Sequence, residues 1–218
     1  RGIAFDCFGV GWDGLNDPLL EVLSRNGDGR YGFLNDSTDA SSEFADQLAG
    51  ALNVAASDVK VQVEFNPDRV RQWRQIGYAR HQLTKEQFRD NTVDAAEIAA
   101  AESGNALYVI ELNESGSGPV GHVRVRYRVP HTSQYREKEW TVPYRASVPA
   151  SEDSSPAMKL ALASGLFAEW LNGNPHAGSI SIDALQKLYR SVPKTFGEDP
   201  RPYDLERMFE QVRSITGL

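Results

Sequence analysis

The residues best suited to acid–base or metal chemistry are His81, His122, His131 and His176. They are scattered, and none has a second histidine or a cysteine at metal-ligand spacing, so they read as surface or turn residues rather than a zinc site. Cys7 is the single cysteine, which excludes an internal disulfide. It stands inside the apolar run Ile3–Val10, with no histidine or helix N-terminus beside it to lower its pKa, and reads as a small buried hydrophobe. The chain has neither a Gly-x-Ser-x-Gly elbow nor a Gly-x4-Gly-Lys phosphate loop. Asn26-Gly27-Asp28-Gly29 has the look of a calcium loop, but without spaced acidic ligands and a closing glutamate it reads as a turn that ends a helix. These absences lead to the expectation of a non-catalytic chain with no cofactor of its own. The alternative is a hydrolase or other enzyme whose site the sequence does not reveal.

Two groups remain as candidate binding residues. Arg124, Arg126 and Arg128 alternate with Val123, Val125, Tyr127 and Val129, so the three guanidiniums share one face of a strand. They could bind an anionic partner such as a polysaccharide or phosphate, or form a solvated face neutralised by acids of a neighbouring strand, with Glu137 and Glu139 as candidates. Trp12 and Asp13, followed by Asn16 and Asp17, come after the first strand, where loops of open α/β sheets meet ligands. Asn16 or Asp17 can equally be a helix cap.

The elements that must position these residues follow from the pattern. Ile3–Gly9 reads as a buried strand, Asp17-Pro18 opens a helix with proline in its first turn, and Tyr31–Leu34 is a second strand. Strand–helix–strand at this length implies parallel pairing. A further helix is expected after Ser37 or Thr38, carried by Phe44, Leu48 and Leu52. From Asp58 the period changes to two. Strands are expected at Val59–Phe65, Val70–Ile76, Val93–Ala101, Ala106–Leu112, Val120–Val129 and Lys138–Tyr144, which suggests an antiparallel sandwich. Alanine propensity favours helix over Ala95–Ala101, but its position between strands argues for strand. Val59, Val61, Val63, Val123, Val125, Tyr127 and Val129 are expected inward, and Lys60, Gln62, Arg124, Arg126 and Arg128 outward. Thr84 and Gln87 fit a capping box, and Asn66-Pro67 and Ser115–Pro119 are turns. After a polar linker, three helices are expected: one from Ser155-Pro156, one near Ser181 and one from about Pro202. The fold class is therefore α+β: a partial α/β unit over 1–55, an antiparallel β-sandwich over 56–148 and a helical unit over 149–218.

The bulk properties narrow the partners. Hydrophobic content of 40% supports a packed core. A net charge of −7 argues against a general nucleic-acid binder. No apolar run is long enough to span a bilayer. The chain opens on Arg-Gly and enters an apolar strand directly, as a segment from within a longer protein would.

In order and wording, GIAFDCFGVG followed by LNDPLLEVLSRNGDGRYGFLND resembles the end of a von Willebrand factor type A domain. VKVQVEFNP, RQIGY, VDAAEI, ALYVIEL and FGEDPRPY resemble the region that follows that domain in bacterial proteins of the YfbK kind, with Ala96 and Ala99 where that family has glycines. The resemblance implies that the metal site of the A domain lies upstream. There a magnesium ion would be held by an Asp-x-Ser-x-Ser loop, a threonine and an aspartate. Asp39-Ala40-Ser41-Ser42-Glu43 imitates the loop but has Glu43 at a hydroxyl position, so no metal is assigned to this chain. The resemblance further implies a periplasmic or cell-envelope protein whose chain binds or scaffolds another protein. The missing upstream strand would leave the edge of Ile3–Val10 for a second copy to cover, giving a homodimer, with a helix or loop of the same chain as the alternative cover.

Overall fold

The computed structural model describes residues 5–11, 14–27, 29, 31–34, 45, 54–77, 82–93, 95–99, 103–147, 153–197 and 199–216. Of the helix expected over Phe44–Leu52 only Ala45 is described, and it is helical; the imitation metal loop at 39–43, His81, Trp12 and Asp13 lie outside these residues. The fold is α+β, with antiparallel sheets and four α-helices among the described residues. The chain divides into two units, Arg1–Glu64 with Leu83–Gly104 and Gly121–Val142, and Phe65–Gln82 with Asn105–Val120 and Pro143–Leu218.

The first unit begins with β1 (Cys7–Val10), α1 (Asp17–Asn26) and β2 (Tyr31–Leu34). The two strands pair in parallel, Cys7 opposite Tyr31 through Val10 opposite Leu34, as the strand–helix–strand spacing requires. The Asn16 side chain accepts from the Leu19 N–H at 3.2 Å and caps α1, Pro18 sits in its first turn, and the Tyr31 phenol donates to Asp17. The capping alternative thus accounts for Asn16. Cys7 is buried, 6% exposed.

The remainder of this unit is a four-stranded sheet in the order β5 (Ala96–Ala99), β3 (Val54–Phe65, its last residue in the second unit), β7 (Gly121–Arg128), β8 (Tyr135–Val142). The alanine-rich segment is a strand because β3 supplies its backbone partners, Val54 opposite Ala99 and Val59 opposite Ala96. Pairing overrides helix propensity here. β8 starts at Tyr135, three residues before the expected Lys138, because the β7–β8 turn is short: the Val129 N–H donates to the Gln134 carbonyl at 2.9 Å. The expected facing of β3 is reversed at its centre. Lys60 is buried at 3% exposure and Val61 is 53% exposed. The cause is local. The β3–β5 register shifts between Val54 and Ala56 and again between Ala56 and Val59, and Asp58 has φ +49°. A bulge inserts an extra residue and re-aims the side chains after it. The capping box holds as well: the Thr84 N–H donates to Gln87 Oε1 at 2.8 Å and the Gln87 N–H to Thr84 Oγ1 at 3.4 Å, opening a 3-10 turn at Gln87–Arg89.

The second unit pairs β4 (Val70–Ile76) with β6 (Leu107–Leu112) in an antiparallel ribbon. Asn66 organises the turn before β4. Its Nδ2 donates to the carbonyls of Ser117 and Pro119, both at 2.9 Å, and its carbonyl accepts from the Arg69 and Val70 N–H groups. Gly116 is required in the facing turn, because a Cβ there would lie 2.1 Å from the Asp68 carbonyl oxygen. Three helices follow: α2 (Pro156–Leu171), α3 (Ile182–Tyr189) and α4 (Pro200–Thr216). Ser155 and Ser181 cap the first two. α4 starts two residues before the expected Pro202. Ala163, Phe167, Ile182, Leu185, Tyr189, Val192 and Phe209 form the core. The Phe167 and Phe209 rings lie 4.6 Å apart, and the Tyr189 phenol donates to the Pro202 carbonyl at 3.0 Å. Burial pushes that phenol up to about 12.

The ribbon meets α2 through a buried charge. Glu169 is 7% exposed, and both its oxygens accept from Arg74 Nη1, at 2.7 and 2.9 Å. Gly165 lets the same helix approach Ile76 and Leu107. Removing one partner of a buried pair leaves an uncompensated charge, whereas replacing both with apolar groups does not. Arg74→Ala is therefore expected to cost roughly 2–3 kcal/mol, below the full value for a buried pair because Arg74 is partly solvated. Arg74→Met combined with Glu169→Leu is expected to recover most of it. Urea unfolding of both variants checks this; an Arg74→Ala protein as stable as the parent would show that the pair does not hold the helix to the ribbon.

Candidate functional site

The bulge in β3 opens onto a cleft of about 710 Å3 in the first unit, lined by Asp58, Asn91, Glu97, Arg128, His131 and Tyr135 among others. The bulge turns Asp58 inward, to 7% exposure. Its Oδ2 accepts from the Tyr135 phenol at 2.6 Å. Its Oδ1 has no hydrogen-bond partner, and the Lys60 ammonium, 3.4 Å away, supplies charge alone. Lys60 Nζ itself donates to the Asp90 carbonyl at 2.6 Å. The hydrogen bond to Asp58, with a smaller contribution from burial, holds the Tyr135 phenol above its ordinary pKa. His131 enters from the β7–β8 turn with φ +59°. Asp58 and His131 are the two non-glycine residues with positive φ among the described residues, and both line this cleft. Strained backbone of this kind persists where the surroundings over-determine it, and it gathers at functional sites. The cleft thus brings together a buried carboxylate held by a phenol and an ammonium group and, on its wall, the Arg128–Glu97 pair.

The three arginines lie along β7, and the register sets Arg124 opposite Glu139, Arg126 opposite Glu137 and Arg128 opposite Tyr135. Arg124 reaches Glu139 through Nε at 2.5 Å and Glu64 and Gln62 through Nη1 at 2.7 and 3.3 Å. Arg126 donates to Asn91 Oδ1 at 2.7 Å and lies 4.1 Å over the Tyr135 ring. Arg128 is 4.0 Å from Glu97. Glu137 takes its partner from outside the strand pair, Arg89, at 2.8 Å. Each guanidinium on this face is thus already engaged within the unit. Glu64 is held below the ordinary carboxylate range chiefly by the Arg124 hydrogen bond, and Glu137 by the Arg89 hydrogen bond.

Of the remaining candidates, His122 sits 3.3 Å from Glu139 and His176 is exposed beyond the end of α2. Among the described residues no group of three or more His, Cys, Asp or Glu could hold a metal ion. Sequence reasoning missed Asp58 and Tyr135. Asp58 precedes the alternating run and carries no sign of a bulge, and Tyr135 falls before the expected start of its strand.

Two outcomes are expected from this geometry. Tyr135→Phe removes a donor from a buried carboxylate and should destabilise the protein by about 1–3 kcal/mol, read by thermal or urea unfolding. Acidification should also destabilise it. Glu64 and Glu137 have folded pKa values below the ordinary 4.5, so their contribution is intact above 4.5 and is lost as pH falls through the lowered values. Urea midpoints measured from pH 6 downward should decline below about 4.5 and decline less steeply in Arg124→Ala.

The family model described as "Uncharacterized protein YfbK, C-terminal" matches residues 50–215. The whole chain aligns with "Uncharacterized protein YfbK" of Escherichia coli (strain K12) at 25% identity over 238 residues, and spans 40% of the length of that relative. No solved structure matches the chain. The family match covers well over half of the chain, as the resemblance in wording implied, and the chain belongs to the family of the YfbK C-terminal region.

Proposed function

We propose that this chain is a non-catalytic protein-binding or scaffolding module of a larger extracytoplasmic protein that contains a von Willebrand factor type A domain. In this reading residues 1–55 are the end of the A domain, 56–148 a β-sandwich platform and 149–218 its helical unit. The parallel β1–α1–β2 arrangement supports the first assignment. The observation that carries the binding role is strand β8. It lies at the edge of the four-stranded sheet and is exposed along nearly its whole length, with Trp140 at 51% and Val142 at 38% exposure. An open edge presents unpaired N–H and C=O groups to an incoming strand, and an exposed tryptophan is a strong anchor for it. The carboxylates whose pKa moves clearly among the described residues, Glu64, Asp90, Glu137 and Asp199 among them, move downward into ion pairs and turn hydrogen bonds. That is the signature of structural charges, whereas a general acid needs its pKa raised.

Magnesium would enter only through upstream residues of the full-length protein. β1 has a strand partner on one side alone among the described residues, and a second copy of the chain is the proposed cover for its other side. No helix among the described residues is long and apolar enough to cross a membrane. The enzyme alternative rests on the Asp58 cleft, where a buried carboxylate oxygen lacks a hydrogen-bond partner.

Pull-down with the full-length protein, with and without magnesium, tests the main reading. A specific protein partner should be retained, and Trp140→Glu should release it without lowering the melting temperature. Retention unchanged by Trp140→Glu would remove β8 as the docking strand, and Asp58→Asn abolishing a hydrolytic activity of the purified protein would favour the enzyme.

A further inference from the structure

The helical unit carries a second cleft, of about 370 Å3, between the start of α2 and the end of α3. Its lining includes Lys159, Lys187, Arg190 and Lys194, with the buried Leu188 as an apolar floor and Ser191 at the rim. No carboxylate lines it. This stands out in a chain of net charge −7, where Arg71, Arg74, Arg201, Arg207 and Arg213 of the same unit each meet a carboxylate, Glu111, Glu169, Asp199, Asp204 and Asp183 in turn, and Arg69 is engaged by the Gly118 carbonyl and the Tyr144 ring. The four cations of the cleft form no ion pair among the described residues. Lys187 and Arg190 complement the negative end of α3, which accounts for those two alone. Lys159 comes from the first turns of a different helix, and Lys194 from the 3-10 turn Pro193–Phe196.

The backbone that presents them is firmly held. Val192 and Pro193 are fully buried between Arg190 and Lys194, the Val192 N–H donates to the Tyr189 carbonyl at 2.8 Å, and the Thr195 N–H donates to the Val192 carbonyl at 3.0 Å. Four like charges on a preorganised concave surface repel one another, and an anion seated among them relieves that repulsion. Three of the four are ammonium groups, compact point charges that suit phosphate oxygens better than the planar fork of a carboxylate. The volume fits a small ligand, and no aromatic ring lines the cleft to stack a base.

We propose that this cleft binds a small ligand through a diphosphate group, with Lys159, Lys187, Arg190 and Lys194 as its counter-charges. Isothermal titration of the whole chain with inorganic pyrophosphate tests it, at low and high salt. One saturable site is expected, weakened by salt. The exposed double replacement Lys187→Gln with Lys194→Gln should weaken binding by about tenfold or more, with at most a small fall in melting temperature from the loss of the Lys187 charge at the end of α3. Lys138→Glu, on an exposed strand of the other unit, should not weaken it. Lys159→Ala gives a second reading from the opposite wall and should also weaken binding. No saturable binding, or equal binding by the double variant, overturns the proposal. Phosphatidylcholine vesicles containing phosphatidic acid form a separate arm. Binding to them without binding to pyrophosphate would overturn the small-ligand assignment in favour of a membrane surface.

Discussion

The first unit depends on one constraint: a central strand that buries two opposite charges. Asp58 and Lys60 lie two residues apart on β3, and both are almost fully removed from water. Either charge alone would cost several kcal/mol in that position. Together, with the Tyr135 phenol on one and the Asp90 carbonyl on the other, they are tolerated. The register of β3 against β5 is irregular from Val54 to Val59, and Asp58 sits in that stretch with positive φ. Asp58, at the end of this irregular stretch, lines the cleft, and Val61 beyond it is exposed.

The second unit uses the same device more simply. Glu169 is buried on a helix whose other inward residues are apolar, and Arg74 from the ribbon neutralises it. Apolar packing is non-directional and would allow the helix to slide. A charge-assisted hydrogen bond from one nitrogen to both carboxylate oxygens specifies a single position. The core of Phe167, Tyr189 and Phe209 supplies the stability, and the ion pair supplies the register.

Charge also distinguishes the three places that could bind something. The arginine face of β7 is internally compensated: Arg124 bridges Glu64 and Glu139, and Arg126 is shared between Asn91 and Tyr135. The cleft at Asp58 holds a carboxylate with one oxygen unmatched by a donor. The basic cleft of the helical unit holds cations unmatched by acids. A compensated surface stabilises the fold, and an uncompensated one is where a ligand gains most.

Much of the local structure was legible in the residues. Val70–Ile76 and Tyr31–Leu34 are strands over the residues expected, Asn16 is the cap of α1, and Ser155 and Ser181 open their helices, because alternation, capping side chains and proline act within a few residues of chain. Family membership was legible too, from the order of short segments such as VKVQVEFNP and ALYVIEL. What required the tertiary structure was everything decided by a partner distant in sequence. Ala96–Ala99 is a strand because β3 lies beside it, Lys60 is buried because Asp58 and Asp90 receive it, and Glu137 meets Arg89 rather than the arginine opposite. The basic cleft joins Lys159 to Lys187, Arg190 and Lys194 through helix packing. Local rules constrain backbone dihedrals over a few residues. Burial and charge compensation are set by which surfaces meet, and that information resides in the folded chain.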